Sequence, residues 1–202
     1  MIDILPTLSI AEQSMMPVRR STLTRSRGRV AAVEQDAFYY WKCDFVITSM
    51  SQNQDRLFHS IMMKIDSEFF LCYDLFHPRP ALEDNGQPLA NGEGVLSVIT
   101  DSLNVTVSGV PAGFRLSDGD YIEFRVSDTV RTLNVISQDT TADAGGVVDV
   151  VLNYPLDTEN FPTASIVNFE KPACIMRRVA PHSRNVRGVI GTGGFSAEEM
   201  VP

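Results

Sequence analysis

FRLSDGDYIEFRVSDTVRTLNVISQDTTADAGGVVDVVLNYPLDTENFPTASIVNF, residues 114–169, contains three short runs in which apolar and polar residues alternate. Ile122, Phe124 and Val126 alternate with Glu123 and Arg125. Leu133 and Val135 flank Asn134. Val148, Val150 and Leu152 alternate around Asp149 and Val151. A period of two marks a strand with one buried face. Between the runs stand Asp118-Gly119-Asp120, the stretch from Ala142 to Gly146, and Asn153-Tyr154-Pro155. There Gly supplies positive φ and Asp bonds the turn backbone. The reading is a β-meander around which the remaining chain packs, with nothing catalytic in it.

Working outward, residues 37–48 form a further expected strand, with Tyr39, Trp41, Cys43, Phe45 and Ile47 on one face. Trp41 is read as a core anchor rather than a ligand-stacking platform. In residues 52–66 the period changes: Phe58, Ile61, Met62 and Ile65 fit one helical face, and Ser51 with Gln54 forms a capping box. Further strands are expected at 69–75, 95–99, 103–107, 165–169 and 173–178, with a breaker-rich loop at 81–94. Residues 1–29, interrupted by Pro6 and Pro17, read as an arm or an irregular first strand. From Pro181 the chain is Gly-rich, and 181–202 reads as a flexible C-terminal extension. The expected fold is mainly β: an antiparallel β-sandwich or barrel-like domain at 30–180 with one α-helix and extended terminal arms. Trp41, Phe45, Phe124 and Val150 are expected in one β core closed by the helix.

A chain of 202 residues with 44% hydrophobic content suits one domain with a real core. No run of apolar residues is long enough for a transmembrane helix, and the N-terminal residues lack the pattern of a secretory signal. Cys43, Cys72 and Cys174 are odd in number and widely spaced, which points to reduced thiols in a cytoplasmic setting. The net charge of −8 is unevenly spread. Residues 1–29 carry five Arg against two acids, residues 171–202 five basic residues against two acids, and residues 30–170 seven basic residues against 21 acidic ones. An acidic body with basic ends disfavours nucleic acid as a partner and suits contacts between copies. The arginines expected at such contacts are Arg19, Arg20, Arg25, Arg27, Arg29, Arg184 and Arg187.

The motifs of chemistry are missing. Gly188, Gly191, Gly193 and Gly194 match neither the dinucleotide fingerprint nor the P-loop. His59, His77 and His182 are scattered, and there is no paired-cysteine metal motif. No nucleophile elbow is present. Acids such as Asp118, Asp120, Glu83 and Asp84 sit where turn acids cap backbone N–H groups. No catalytic residue, cofactor or metal is therefore expected.

The order of these features resembles that of distal-tail and baseplate-hub proteins from the tails of siphoviruses. An aromatic strand with Trp41 (Phe38 to Ile47) leads to a helix (Phe58 to Ile65) and a second aromatic strand (Phe69 to Leu75). Then come the turn-strand Leu116-Ser-Asp-Gly-Asp-Tyr-Ile122, the segment Val135 to Leu156 with Ala142-Asp-Ala-Gly145 and Pro155-Leu156, and Pro172-Ala-Cys-Ile-Met-Arg-Arg178. The similarity spans residues 21–178. It implies a virion structural protein without an active site, assembled in the host cytoplasm: a distal-tail ring subunit joining tail tube to tail tip. Its implied partners are five further copies in a hexamer, the tail tube and the tail-tip hub, with neither nucleic acid nor membrane. The rival expectation is a carbohydrate-binding β-sandwich that uses Trp41 or exposed tyrosines as sugar platforms.

Overall fold

The computed structural model describes residues 8, 10–25, 31–66, 68–187 and 190–200, with backbone alone for 20–25, 31–38, 186–187 and 190. In chain order its elements are β1 (Ile10–Arg25), β2 (Ala31–Met50), α1 (Gln52–Lys64), β3 (Phe70–Tyr73), β4 (Glu93–Ile99), β5 (Asn104–Ser108), β6 (Arg115–Leu116) and β7 (Tyr121–Ser127). There follow β8 (Val130–Val135), β9 (Thr140–Thr141), β10 (Val147–Val151), β11 (Ile166–Asn168), β12 (Ala173–Arg178), β13 (Ser183–Arg187) and β14 (Ile190–Glu199). The fold is mainly β and its sheets are antiparallel, as the alternating runs imply.

The helix begins where its sequence places it. Ser51 Oγ accepts from the Gln54 backbone, and the Gln54 side chain accepts from the Ser51 backbone, so two orphan donors are satisfied. Phe58, Ile61 and Met62 face inward along one stripe, and Ile65, at the C-cap, is buried too.

The 114–169 stretch behaves differently from a simple meander. Its strands β7, β8, β10 and β11 belong to a six-stranded sheet ordered β10-β5-β4-β11-β7-β8, while β6 and β9 pair with each other in a separate two-stranded sheet. Only β7 and β8 are sequential neighbours within that stretch; β10 lies at the opposite edge. The two edges touch through the single bridge Ile136↔Leu152. Beside it the Ser137 N–H donates to Val151 O at 2.9 Å and the Asn153 N–H to Val135 O at 2.8 Å. The sheet thus curls on itself like a barrel, because its inward residues Phe124, Val150, Val107 and Val167 surround a shared core with Phe114, Phe161 and Phe169.

The other six-stranded sheet has the path β1-β2-β14-β12-β3, with β13 paired to β14. The Gly-rich segment read as a flexible extension is therefore a central strand. Its glycines permit close approach rather than freedom. A Cβ on Gly193 would meet Phe58 Cε1 at 2.8 Å, and one on Gly194 would meet the Phe45 carbonyl at 2.8 Å. This sheet also closes. Gln13 of β1 reaches the far strand, donating from Nε2 to Tyr73 O at 2.8 Å and accepting from the Leu75 N–H at 2.9 Å. Its side-chain amide stands in for a ladder pair between the two edge strands.

Trp41, Phe45, Phe124 and Val150 are all buried, but they occupy two cores rather than one. Trp41 and Phe45 pack with α1, while Phe124 and Val150 line the curled second sheet. Two curled sheets each enclose their own interior, and the seam between them joins apolar packing of Leu133, Tyr121 and Tyr154 on the first core to a buried polar cluster. There Glu123 of β7, 1% exposed, accepts from Arg131 at 3.0 Å, Asn168 at 2.8 Å and the Ala173 N–H at 3.1 Å.

Candidate assembly interface

The longest strands in the protein, β1 and β2, form a hairpin that outruns the sheet it belongs to. They pair from Ile10↔Ile47 to Arg25↔Ala31. On its other edge β2 pairs with β14 from Gly191↔Met50 only as far as Glu198↔Lys42. From Trp41 outward, β2 has no strand on that second edge among the described residues. Pro17 lies opposite Trp41 in β1, an edge position that tolerates a residue without an N–H. Between Arg19↔Tyr39 and Ser21↔Gln35 the register shifts by two residues, a bulge that bends a ribbon where it leaves its support. Beyond Tyr39 the eight further residues to Ala31 extend up to about 26 Å at ~3.3 Å each.

The distal pairs Ser21↔Gln35 to Arg25↔Ala31 hold a single pair of large apolar residues, Leu23↔Val33. A two-stranded ribbon with so little to bury is marginal on its own. Residues 19–36 carry five Arg against Glu34 and Asp36. The structure places Arg19, Arg20 and Arg25 on β1, with Arg19 exposed; Arg27 and Arg29 lie outside the described residues. Arg187 ends β13, on another hairpin.

Arg184 is paired within its own chain. Its Nε donates to Asp55 Oδ1 at 2.6 Å and its Nη2 to Asp55 Oδ2, so it fastens β13 to α1 within its own chain. Those hydrogen bonds hold the Asp55 carboxyl below the usual carboxylate range. Arg178 makes a parallel pair with Asp66. A groove of about 680 Å³ beside them is lined by Ile65, Phe69, Arg177, Val179 and their neighbours.

The hairpin's root is held by aromatic side chains. The Tyr39 hydroxyl donates to Leu133 O at 2.6 Å, and Trp41 Nε1 donates to the same carbonyl at 2.7 Å. Tyr121 and Tyr154 meet the indole edge-on. With Trp41 1% exposed, the indole is an anchor and offers no platform. One step past the end of the β14 ladder, the Trp41 N–H donates to Glu199 Oε2 at 3.0 Å. The Glu199 side chain thereby continues the ladder by one bond. Burial pushes its carboxyl up to about 8.

A second surface is the outer face of the curled sheet. Val147, Ser108, Val95, Ile166 and Arg125 fall in one row across five strands, and Val147, Val95 and Ile166 are exposed. The turn acids act as their positions suggest. Asp101 accepts from the Leu103 and Asn104 N–H groups, Asp143 from Gly145 and Val147, and Asp120 from Ser117 and Ala81.

Among the described residues no group of three or more His, Cys, Asp or Glu has the geometry of a metal site, and no helix is long and apolar enough to cross a membrane. Cys43, Cys72 and Cys174 are free and buried. Sequence reading missed Glu199 and Gln13. Phe195 and Ala197 alternate with Ser196 and Glu198, and that short period of two was the available signal for the terminal strand. Nothing local marks Gln13, whose backbone partners at Tyr73 and Leu75 lie 60 and 62 residues away. No protein-family model matches the chain, and no curated protein matches it in sequence.

Proposed function

We propose that this chain is a self-assembling structural subunit of a phage tail, a ring-former of the distal-tail type that joins tail tube to tail tip. The observation that carries the reading is the β1–β2 hairpin. Among the described residues its distal half pairs with no other strand; it bears an excess of Arg and has too little apolar surface to order itself. A neighbouring copy with an acidic body supplies both the missing contact and the opposite charge. A head-to-tail contact of this kind closes into a ring, and six copies match the symmetry of a tail tube. Other tail proteins are the further partners. The carbohydrate-binding alternative loses Trp41, its best platform, to the core.

The test is mass in solution. Full-length protein and a variant in which a two-residue turn replaces residues 21–35 are compared by multi-angle light scattering. The full-length chain is expected to assemble to a hexamer, and the shortened chain to remain a folded monomer. A full-length monomer at high concentration, absent also from any purified tail particle, overturns the proposal.

A further inference from the structure

We propose that Glu199 is a proton-operated latch on the root of the β1–β2 hairpin: with its carboxyl protonated the root stays closed, and ionisation releases it. The inference concerns the hairpin's attachment alone and holds whether or not the chain builds a ring.

Position comes first. Glu199 is the last residue of β14 and stands where β2 loses its second neighbour. Its carboxyl is the only acceptor that the described structure gives the Trp41 N–H. It is 7% exposed, and Oε1 has no hydrogen-bond partner. An ionised carboxylate offers about four acceptor sites; the Trp41 N–H takes one on Oε2, and the Leu133 N–H and the Thr132 side chain are the other donors turned toward the carboxyl. Such a charge, taken out of water without a counter-ion, forces either protonation or movement.

Among the described residues the surroundings provide no counter-ion. From β2 the facing titratable group is Tyr39, and from β12 it is Cys174; burial pushes both well above their usual range, so both are neutral. From β8 come the Leu133 N–H and the Thr132 side chain, which favour the charged form without outweighing burial. Tyr154 packs on Tyr39. Arg131 of β8 is committed to Glu123. Lys42 and Arg177 share a row with Glu198, the residue that alternates to the opposite face of the sheet from Glu199. Burial that the hydrogen bonds to the carboxyl do not outweigh places the ionisation at about pH 8, where a modest rise in pH charges the root.

Trp41 is the only tryptophan and it reports on this spot directly. Its emission and its quenching by acrylamide are followed between about pH 6 and 9.5 in wild type and in Glu199→Gln, which keeps an acceptor for Trp41 but cannot ionise. Wild type is expected to show a reversible red shift and a several-fold rise in quenching, centred near pH 8; Glu199→Gln is expected to be flat. A flat wild type, or the same step in Glu199→Gln, overturns the latch. A second readout needs no variant. In wild type labelled with 13C at glutamate carboxyls, one resonance should titrate together with the Trp41 step. Titration of every glutamate below about pH 6, with none at the step, overturns it equally.

Discussion

Gly194→Ala sets a methyl group against backbone that cannot swing away. The added Cβ would stand 2.8 Å from the Phe45 carbonyl oxygen and 3.4 Å from Ser183 Oγ. The hydroxyl can rotate; the carbonyl cannot, because Phe45 is 2% exposed and its ring stacks on Phe195 at 4.5 Å. The spacing between β2 and β14 must therefore widen. Overpacking of this kind costs ~1–3 kcal/mol, and the stiffer unfolded chain returns ~0.4–1 kcal/mol. The net expectation is a loss of about 1–2 kcal/mol, which at a urea slope of ~2 kcal/mol/M lowers the midpoint by about 0.5–1 M. Trp41 emission follows the transition. Gly191→Ala is the internal control, since its nearest contact is an ordinary 3.6 Å to Met50 Cβ, and its midpoint should move little. In a flexible tail either alanine would change stability by no more than ~0.5 kcal/mol. A Gly194→Ala midpoint equal to or above wild type refutes the placing of β14 inside the sheet.

Trp41→Ala should cost ~3–5 kcal/mol in urea melts, although Leu133 O keeps its bond from Tyr39; a loss below ~1 kcal/mol contradicts the burial of the indole. Gln13→Ala strips the partners from Tyr73 O and the Leu75 N–H, and should destabilise by ~1–3 kcal/mol with faster amide exchange at Leu75; unchanged exchange removes the barrel closure. Glu199 also gives stability a direction with pH. Its folded value, about 8, lies above that of an unfolded glutamate, ~4.3, so its contribution is complete below the unfolded value and is lost as pH rises through 8. Wild type should therefore lose a few kcal/mol relative to Glu199→Gln between about pH 5 and 9, and parallel pH profiles would sink the assignment.

Elements whose cause is local were legible in the sequence. The capping box at Ser51 and Gln54 and the stripe Phe58, Ile61 and Met62 lie within one helix, and the structure keeps all of them. The runs at 122–126 and 148–152 both became strands; alternation gives the buried face of the second, whereas in the first Ile122 and Phe124 are buried but Val126 is exposed and Glu123 is buried at the seam. What could not be read was pairing. β8 and β10 stand at opposite ends of the ladder order and meet only where the sheet curls closed, and no local pattern encodes that. Gly193 and Gly194 read as flexibility because the residues that require them, Phe58 and Phe45, lie more than 130 positions away. The arginine-rich end was legible as a basic segment and not as half of a hairpin, because Leu23 and Val33 are too sparse to show a period. Arg184 illustrates the same limit, since its partner Asp55 is 129 residues away.

The central claim is that the hairpin's distal half belongs to a neighbour. The most direct measurement is light scattering on full-length protein and on the chain shortened by replacing residues 21–35, each at low salt and at 1 M, where the Debye length falls to ~3 Å. The account predicts a hexamer for the full-length chain that weakens in 1 M salt, and a folded monomer under both conditions for the shortened chain. If the shortened chain assembles as well as the full-length one and salt changes neither, the claim is contradicted.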